Sequence, residues 1–498
     1  MSRHSEQRLI IVSNRLPMSL KKVGGSWQAH PSTGGLVTAL GPVLRNRGGL
    51  WIGWPGVSHL PDARRVLERA TRGIGYTLVP VNLTDEELNL YYYGFSNEIL
   101  WPLFHGLQSL CNYDPDYWSA YLGANRKFAR IVAENVGPDD YLWIHDYQLM
   151  TLGQEVRALG VRTAMGFFLH IPFPPPDIYH KLPWRRQLLE SLLDFDLLGF
   201  QTNRHKRNFM QCLRTMIRDV QFYGKGPVSV VRYKGRDVRV GHFPIGIDYQ
   251  TFMRGADEPE VEAESRNLKF ALRNRTVLLG IDRLDYTKGI PYKLEAIRLA
   301  LKRYPELHQK MTLIQVVVPS RQEIPRYDQL KTEVERLVGE INGEFSEPGW
   351  VPIQYIYRTL TRLELLSYYR TADIALITPL DDGMNLVAKE YCACNNDGNG
   401  VLILSEFAGA AAQLQRGALL VNPYNREAVA EAIYQAYKMD PQERAERMQR
   451  LRRNVASSDV FRWVSSFLQA GIAQELSAFP QQEADGDAFD EEFWGEVL

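Results

Sequence analysis

Ile374-Ala-Leu-Ile-Thr-Pro-Leu380, followed directly by Asp381-Asp-Gly-Met-Asn-Leu-Val-Ala-Lys-Glu-Tyr391, predicts a buried strand that runs through a turn into a helix. The first amides of a helix have no partner within it and lie at the positive end of its dipole, so this junction is suited to hold a phosphate. Glu390 lies about two turns into the helix, where its carboxylate could accept hydrogen bonds from a ribose. The pattern therefore favours a nucleotide-sugar site. The alternative is that Asp382 only caps the helix and Glu390 is a solvated charge.

A second junction of the same kind lies earlier in the chain. Thr276-Val-Leu-Leu-Gly-Ile-Asp282 predicts another buried strand, and Arg283 and Lys288 follow it just before a helix. Ligands of open α/β sheets bind at the carboxyl ends of the strands. An arginine fork and a lysine point charge on one loop, with a helix start on another, can hold the two phosphates of one diphosphate.

The wider pattern alternates short β-rich runs with helical stretches, which is typical of parallel sheets covered by helices on both faces. Pro244-Ile-Gly-Ile-Asp248 ends the first set of strands, so the hinge is predicted near residue 248. We expect two Rossmann-like lobes that face a central cleft, residues 1–248 and 249–480, with the last helix packing back on the first lobe. Residues 481–498 contain acids and no base, and they are expected to form a mobile acidic tail.

Composition excludes several classes of protein. The 498 residues exceed one ordinary core, and the 58 basic side chains balance the 58 acidic ones, which gives no indication of nucleic acid or membrane as a partner. No apolar run reaches the ~18 residues of a membrane span. The four cysteines are scattered, which favours a reducing, cytoplasmic location over a zinc site. A homo-oligomer is compatible with the sequence.

The chain resembles the trehalose-6-phosphate synthases, a family of retaining glycosyltransferases with the two-lobed GT-B fold. The resemblance covers nearly the whole chain in the expected order. Besides the two junctions, the motifs that carry it are Val12-Ser-Asn-Arg-Leu-Pro17, Ser32-Thr-Gly-Gly-Leu36, Phe95-Ser-Asn-Glu-Ile-Leu-Trp-Pro102, Trp143-Ile-His-Asp-Tyr147, Phe168-Leu-His-Ile-Pro-Phe-Pro174, Leu198-Gly-Phe-Gln-Thr202, Pro244-Ile-Gly-Ile-Asp248 and Ser405-Glu-Phe-Ala-Gly409.

The resemblance implies a set of donor-binding residues. His170 and Asp382 would contact hydroxyls of the donor glucose, and backbone amides after Asp382 would meet the diphosphate. Buried sugar hydroxyls need strongly polar partners, which these side chains supply. The alternative for His170 is a satisfied core histidine. The full expected donor set is Gly35, His170, Arg283, Lys288, Asp382, Gly383, Met384, Asn385, Leu386 and Glu390.

The acceptor residues are implied in the same way. Arg15, Tyr92 and Arg321 would bind the phosphate of glucose 6-phosphate, with Trp101 and Asp146 near the sugar. Trp54 is a further aromatic that could stack on it. For Trp54 and Tyr92 a place in the core is the competing interpretation.

The implied reaction moves glucose from a nucleotide donor, UDP-glucose by family usage, to the anomeric oxygen of glucose 6-phosphate. Catalysis would be positioning and charge stabilisation. The residues assigned to it are Asp146, His170, Arg283, Lys288 and Asp382. No cofactor or metal is expected, and Asp194-Phe-Asp196, which has the spacing of a metal motif, is interpreted as structural.

Three alternatives remain. A sister enzyme would transfer glucose to glycerol 3-phosphate and differ only in its acceptor pocket. An inactive regulatory homologue would have no reason to keep every donor residue. A polymerase like glycogen synthase is disfavoured because paired arginines suit a small phosphate better than a neutral glucan.

Overall fold

The computed structural model describes residues 8–472, except 24–25, 32–36, 38–39, 42–43, 46–47, 59–61, 73–74, 225 and 322. Two expectations lie outside these residues: the acidic tail 481–498 and the diphosphate contact at Gly35. The described chain forms two compact units. The first runs to Pro244 and takes up the chain again from Phe461, and the second is Ile245–Val460.

The first unit is built on a twisted sheet of nine strands among its described residues, in the order β5-β4-β1-β6-β7-β8-β11-β10-β9. The strands from β5 to β11 are parallel, and β10 and β9 continue the sheet antiparallel. Its strands are Leu9–Arg15 (β1), Leu50–Trp54 (β4), Thr77–Pro80 (β5), Tyr141–His145 (β6), Ala164–Phe168 (β7), Leu197–Phe200 (β8), Gln221–Tyr223 (β9), Val228–Tyr233 (β10) and Arg236–His242 (β11), and a separate hairpin pairs Met18–Val23 (β2) with Ser26–Pro31 (β3).

Helices flank this sheet. The central strands β6 and β8 are buried along their whole length, as expected for a sheet covered on both faces. The helices are Ala63–Ala70, Asp85–Glu87, the π-helix Leu88–Leu100, Trp101–Phe104, Pro115–Asn135, Leu152–Ala158, Pro176–Tyr179, Arg185–Leu192 and Asn203–Met216, with 3₁₀ turns at Gln108–Leu110 and Tyr147–Leu149.

The last described helix, Val460–Ile472, returns to the first unit. The ring of Phe467 stacks on Trp143 with centroids 4.5 Å apart. Gly166 in β7 and Gly199 in β8 make room for it, because a Cβ at either residue would lie within 2.8 Å of the Phe467 ring. The helix therefore supplies part of the first unit's core.

Among its described residues, the second unit holds a six-stranded parallel sheet in the order β14-β13-β12-β15-β16-β17. Its strands are Thr276–Arg283 (β12), Met311–Val318 (β13), Ile353–Tyr357 (β14), Ile374–Ile377 (β15), Val401–Ser405 (β16) and Leu419–Val421 (β17). Its helices are Tyr249–Ala256, Pro259–Ala271, Ile290–Arg303, Pro325–Phe345, Arg362–Thr371, Leu386–Cys394, Ala411–Leu414, Arg426–Lys438 and Pro441–Ser457, with 3₁₀ turns at Tyr286–Lys288 and Pro305–Leu307.

The strand order places both predicted junctions together. β12 and β15 are neighbours, paired through Leu278 with Ile374 and Leu279 with Ala375. Because the strands are parallel, the loops that follow them leave from the same edge of the sheet. Within the described part of the chain, every helix is too short or too polar to cross a bilayer.

Candidate functional site

The loop after β15 is shaped by Asn385, which caps the helix Leu386–Cys394. Its Oδ1 accepts a hydrogen bond from the amide of Ala388 at 3.2 Å, and its φ of 78° is in the left-handed region that asparagine tolerates better than most residues. Its Nδ2 donates to Oδ2 of Asp382 at 3.1 Å. One side chain therefore starts the helix and orients the carboxylate predicted to contact the donor sugar.

The segment after β16 holds this loop in place through backbone hydrogen bonds. The amide of Gly409 donates to the carbonyl of Asp382 at 3.0 Å, and the amide of Ala410 donates to the carbonyl of Met384 at 2.7 Å. A Cβ on Gly409 would lie 2.0 Å from the carbonyl oxygen of Gly383. Only glycine can therefore occupy position 409 while the loop keeps this shape.

The loop after β12 carries the cations. Arg283 is exposed at the end of the strand, whereas Lys288 is largely buried, and its Nζ lies 2.5 Å from Oδ2 of Asp382. This ion pair connects the loops of two neighbouring strands. The ion pair brings together the side chains of Lys288 and Asp382, which were both predicted to bind the donor.

Asp285 lies at the centre of the cation loop with no exposed surface. Its Oδ1 accepts hydrogen bonds from the amide and hydroxyl of Thr287, and its Oδ2 accepts from Nη1 of Arg321 at 2.7 Å and from Oη of Tyr327 at 3.3 Å. Burial alone would raise the pKa of this carboxyl, but Arg321, Arg283 and Lys288 together hold it below its usual value. Asp285 is therefore a buried anion around which these three cations are arranged.

Arg321 lies in the second unit, although it was predicted to bind the acceptor phosphate together with Arg15 and Tyr92 of the first unit. It has a left-handed backbone, with φ of 46°, and its Nη1 also donates to Oη of Tyr327 at 2.6 Å. The shared partner Asp285 puts Arg321 beside the loop of Arg283 and Lys288. Its predicted contact with the acceptor phosphate stays a prediction.

Glu390 and Lys389 are neighbours on the helix after Asn385 and have different surroundings. Glu390 is partly exposed and accepts a hydrogen bond from Oη of Tyr369 at 2.7 Å; burial raises its pKa and this hydrogen bond opposes the rise. Lys389 has no exposed surface, and its Nζ donates to the carbonyl of Ile245 at 2.7 Å and to Oε1 of Gln413 at 2.6 Å. Burial lowers the pKa of Lys389 to about 7. Lys389 thus anchors the helix that presents Glu390.

In the first unit, Arg15 and Trp54 end the paired strands β1 and β4. The Arg15 guanidinium lies over the Trp54 ring, 4.7 Å from its centroid, and the indole Nε1 donates to the carbonyl of Val57 at 3.0 Å. Trp54 is only 5% exposed. In this arrangement Trp54 supports Arg15 with one ring face, and its predicted stacking on a sugar stays a prediction.

Tyr92 lies in the π-helix Leu88–Leu100 and is partly exposed. Its carbonyl accepts a hydrogen bond from Nδ2 of Asn97 at 2.6 Å, and Oδ1 of Asn97 accepts from Oη of Tyr147 at 2.9 Å. Tyr147 follows Asp146 and packs on the buried Trp101 ring at 5.7 Å. Asn97 therefore links the backbone of Tyr92 to Tyr147, which follows Asp146 and contacts Trp101.

Asp146 follows β6 with φ of 77°, a conformation rarely adopted outside glycine. Its amide donates to the carbonyl of Phe168 at 2.8 Å, and its Oδ1 accepts from the amide of His170 at 3.2 Å. The strained backbone is thus held by the neighbouring strand. The arrangement brings two of the predicted catalytic residues together, at the carboxyl ends of β6 and β7.

His170 also contacts a second histidine. Its Nε2 lies 3.1 Å from Nδ1 of the fully buried His145, and its Nδ1 lies 3.4 Å from Nε2 of Gln201. Burial lowers the pKa of His170 to about 3 and that of His145 well below its usual value, the latter with a smaller contribution from His170. Burial thus favours the neutral form of both imidazoles.

Several of these residues were missed by sequence reasoning. His145 and Asn97 stand inside quoted motifs, Asp285 lies between Arg283 and Lys288, and Lys389 precedes Glu390, but no spacing rule marks them. Their partners are distant in sequence, so only the fold identifies them.

Asp194 and Asp196 lie at the other end of the strands, ahead of β8. Asp196 pairs with Arg157 at 2.8 Å and with Arg236 at 2.9 Å, and Asp194 lies 3.5 Å from Arg236. These arginine partners fit the structural interpretation of the motif. Among the described residues no cluster of histidine, cysteine, aspartate and glutamate has the arrangement of a metal site.

Comparison with known proteins is informative over most of the chain. The family model described as glycosyltransferase family 20 matches residues 7–471. An α,α-trehalose-phosphate synthase (UDP-forming) from Dictyostelium discoideum is 43% identical over 93% of this chain, which spans 62% of that relative's length.

Solved structures of similar proteins agree with this family match. An α,α-trehalose-phosphate synthase (UDP-forming) from Burkholderia xenovorans in complex with glucose-6-phosphate has a TM-score of 0.84 at 34% identity, covering 93% of this chain and 99% of that one. A structure from E. coli, described as trehalose-6-phosphate bound with UDP-2-fluoro glucose, has a TM-score of 0.84 at 35% identity over the same shares. The predicted fold class, GT-B with two Rossmann-like units, is confirmed.

Proposed function

Since the chain belongs to glycosyltransferase family 20, we propose that it is a retaining glucosyltransferase that makes α,α-trehalose 6-phosphate from UDP-glucose and glucose 6-phosphate. The observation that carries the proposal is the ion pair of Lys288 with Asp382, because it joins the cation loop and the helix start in one anion-binding site. The nucleotide sugar and the sugar phosphate bound by the E. coli and Burkholderia structures support this choice of substrates.

The donor would be held mainly by the second unit. Arg283 and Lys288 neutralise the diphosphate together with the first amides of the helix Leu386–Cys394. Asp382, oriented by Asn385 and Lys288, accepts hydrogen bonds from hydroxyls of the glucose. Glu390, oriented by Tyr369, receives the ribose hydroxyls.

The acceptor phosphate would be bound by Arg15, Tyr92 and Arg321, with Asp146 and Trp101 at the sugar ring. Asp146 is suited to orient the acceptor because the carbonyl of Phe168 holds its strained backbone and the amide of His170 donates to its carboxylate. Asp146 is assigned as an orienting group.

In the transfer, the bond from the anomeric carbon of the donor glucose to the diphosphate oxygen breaks, and a bond to the anomeric oxygen of glucose 6-phosphate forms on the same face. The departing diphosphate oxygen takes the proton of the attacking hydroxyl. Arg283 and Lys288 stabilise the charge that develops on this oxygen. The chain's contribution is thus orientation and preorganised charge.

The second candidate, transfer to glycerol 3-phosphate, differs in the acceptor alone. We expect glucose 6-phosphate to be preferred at least about tenfold in kcat/KM, because a hexose can fill a pocket that glycerol leaves partly empty. Product identification by mass spectrometry after offering both acceptors with UDP-glucose, ADP-glucose and GDP-glucose tests this expectation. Faster turnover of glycerol 3-phosphate would contradict the proposed acceptor.

The role of Arg321 is tested in the same assay. Arg321→Ala should raise KM for glucose 6-phosphate by the equivalent of about 2–3 kcal/mol, and KM for UDP-glucose much less. Arg321→Lys keeps the charge without the fork, and Arg326→Ala removes an exposed arginine nearby as a control. An equal rise in both KM values would instead assign Arg321 to the donor.

Metal removal gives a further expected result. If side chains and helix amides neutralise the diphosphate, activity should survive exhaustive EDTA treatment, whereas a metal-dependent transferase would stop and recover on addition of Mg²⁺ or Mn²⁺. Turnover is measured before and after treatment with metal-free substrates. A strict requirement for metal would contradict the assignment of charge neutralisation to Arg283 and Lys288.

We also propose that the protein works in the cytoplasm. Cys111, Cys212, Cys392 and Cys394 are all free thiols, and burial raises the pKa of the three of them that are buried as well as that of Cys111. Such cysteines suit a reducing compartment.

A further inference from the structure

Three polar side chains follow adjacent parallel strands in the first unit. His145 ends β6, His170 lies just beyond β7, and Gln201 lies directly after β8. They form a hydrogen-bonded row, with 3.1 Å between Nδ1 of His145 and Nε2 of His170, and 3.4 Å between Nδ1 of His170 and Nε2 of Gln201. His145 and Gln201 are buried and His170 between them is partly exposed, so the middle residue of the row is the one that a ligand can reach.

The two imidazoles must share one proton at their contact. A neutral imidazole has one N–H and one lone pair, so the pair has two arrangements. In the first, His170 donates from Nε2 to His145 and keeps a lone pair at Nδ1. In the second, His145 donates from Nδ1 to His170, and Nδ1 of His170 carries a hydrogen.

The first arrangement is favoured by Gln201. Its amide nitrogen lies 3.4 Å from Nδ1 of His170, and an N–H donor requires a lone pair there. Nε2 of His170 then carries the hydrogen and Nδ1 of His145 accepts it, so Nε2 of His145 carries the other hydrogen. That nitrogen is buried and has no hydrogen-bond partner in the described part of the chain.

We propose that His145 is a positioning residue that fixes His170 with its lone pair at Nδ1, so that His170 accepts a hydrogen bond from a hydroxyl of the donor glucose. The proposal rests on the proposed function, in which His170 contacts that sugar. In the ligand-free protein, the amide of Gln201 donates to this lone pair in place of the sugar hydroxyl. When the sugar is bound, its hydroxyl donates the hydrogen bond and Nδ1 of His170 accepts it.

The first test does not depend on activity. ¹⁵N-histidine labelling of the complete, ligand-free protein distinguishes protonated from unprotonated ring nitrogens by their well-separated shifts. Wild-type His170 should show hydrogen on Nε2 and a lone pair on Nδ1, with His145 carrying hydrogen on Nε2; loss of signals in His145→Asn assigns the pair. Hydrogen on Nδ1 of His170 would overturn the proposal, even if the enzyme makes the expected product.

The second test uses two variants of similar shape. His145→Asn offers an oxygen near the position of Nδ1 and can still accept from His170, whereas His145→Leu leaves the same space without an acceptor. We expect kcat for His145→Leu to be about tenfold below that for His145→Asn, with equal KM for glucose 6-phosphate, since one hydrogen bond is lost. Equal rates in two folded variants would show that His145 only fills space and would overturn its positioning role.

A third variant should reverse the direction of the hydrogen bonds along the row. Gln201→Glu presents only acceptor oxygens to Nδ1 of His170, so the proton should move to Nδ1 and appear there in the ¹⁵N spectrum. Analogues of the donor sugar distinguish the two tautomers. At the hydroxyl that contacts His170, wild type should use the deoxy and the deoxyfluoro analogue equally poorly, because neither can donate a hydrogen bond. Gln201→Glu should prefer the fluoro analogue. An unchanged spectrum in this variant would contradict the assigned tautomer.

Discussion

Replacing Arg283 or Lys288 by alanine should lower kcat about a hundredfold, which corresponds to ~3 kcal/mol of lost transition-state stabilisation. In the proposed transfer, charge builds on the leaving diphosphate in the transition state, and these cations lie on the loop that would face it. Lys288 has a second role because it also holds Asp382. Lys288→Ala should therefore raise KM for UDP-glucose more than Arg283→Ala does.

The measurement is the steady-state rate of UDP release with both substrates saturating. Arg336→Ala is the matched control, since Arg336 is an exposed cation of the second unit paired only at the surface with Glu340. Melting curves establish that each variant is folded. Near-normal turnover in both Arg283→Ala and Lys288→Ala would contradict the proposal that these residues neutralise the diphosphate.

A second large effect is expected on stability. Lys293→Met should lower the free energy of unfolding of the second unit by about 3–5 kcal/mol, the range found when one partner of a buried ion pair is removed. The side chains of Lys293 and Asp282 are 0% and 2% exposed, with Nζ and Oδ2 2.5 Å apart. Nε2 of Gln315 also donates to Asp282 at 3.0 Å. Without Lys293 the Asp282 charge stays buried with too few partners.

Two controls make this result specific. The double variant Lys293→Met with Asp282→Leu removes both charges and should recover most of the loss, because a well-packed apolar pair is often as stable as the ion pair. Lys331→Met breaks an exposed pair with Glu335 and should change stability by less than about 1 kcal/mol. Urea unfolding monitored for each unit gives the free energies. A single variant as stable as the parent would mean that Asp282 is protonated or hydrated.

Sequence reasoning located the parallel sheets because buried parallel strands are continuous apolar runs. The strand predicted at Thr276–Asp282 is an example, since the observed strand is Thr276–Arg283. The hairpin β2–β3 was missed because its residues do not form such a run. The π-helix Leu88–Leu100 was also missed, since bonding to the fifth residue leaves no mark in the order of side chains.

The same limit applies to the site. Arg283, Lys288 and Asp382 were identified because a strand, a loop and a helix start follow one another in the sequence. Asp285 was not, because what distinguishes it is Arg321, which comes from another strand. His145 directly precedes the assigned residue Asp146, but its hydrogen-bond partner is the ring of His170, which lies beyond the next strand. Pairing across the sheet is knowledge that only the fold supplies.

The return of the helix Val460–Ile472 to the first unit affects how the protein is made on the ribosome. Phe467 covers Trp143, Gly166 and Gly199, and the carbonyl of Gly471 accepts a hydrogen bond from Nη2 of Arg239 at 2.8 Å. These partners are synthesised long before Phe467, so their apolar face stays uncovered while the whole second unit is translated. Vectorial folding can thus complete the second unit before the first, and the nascent first unit exposes a surface on which chaperones can act.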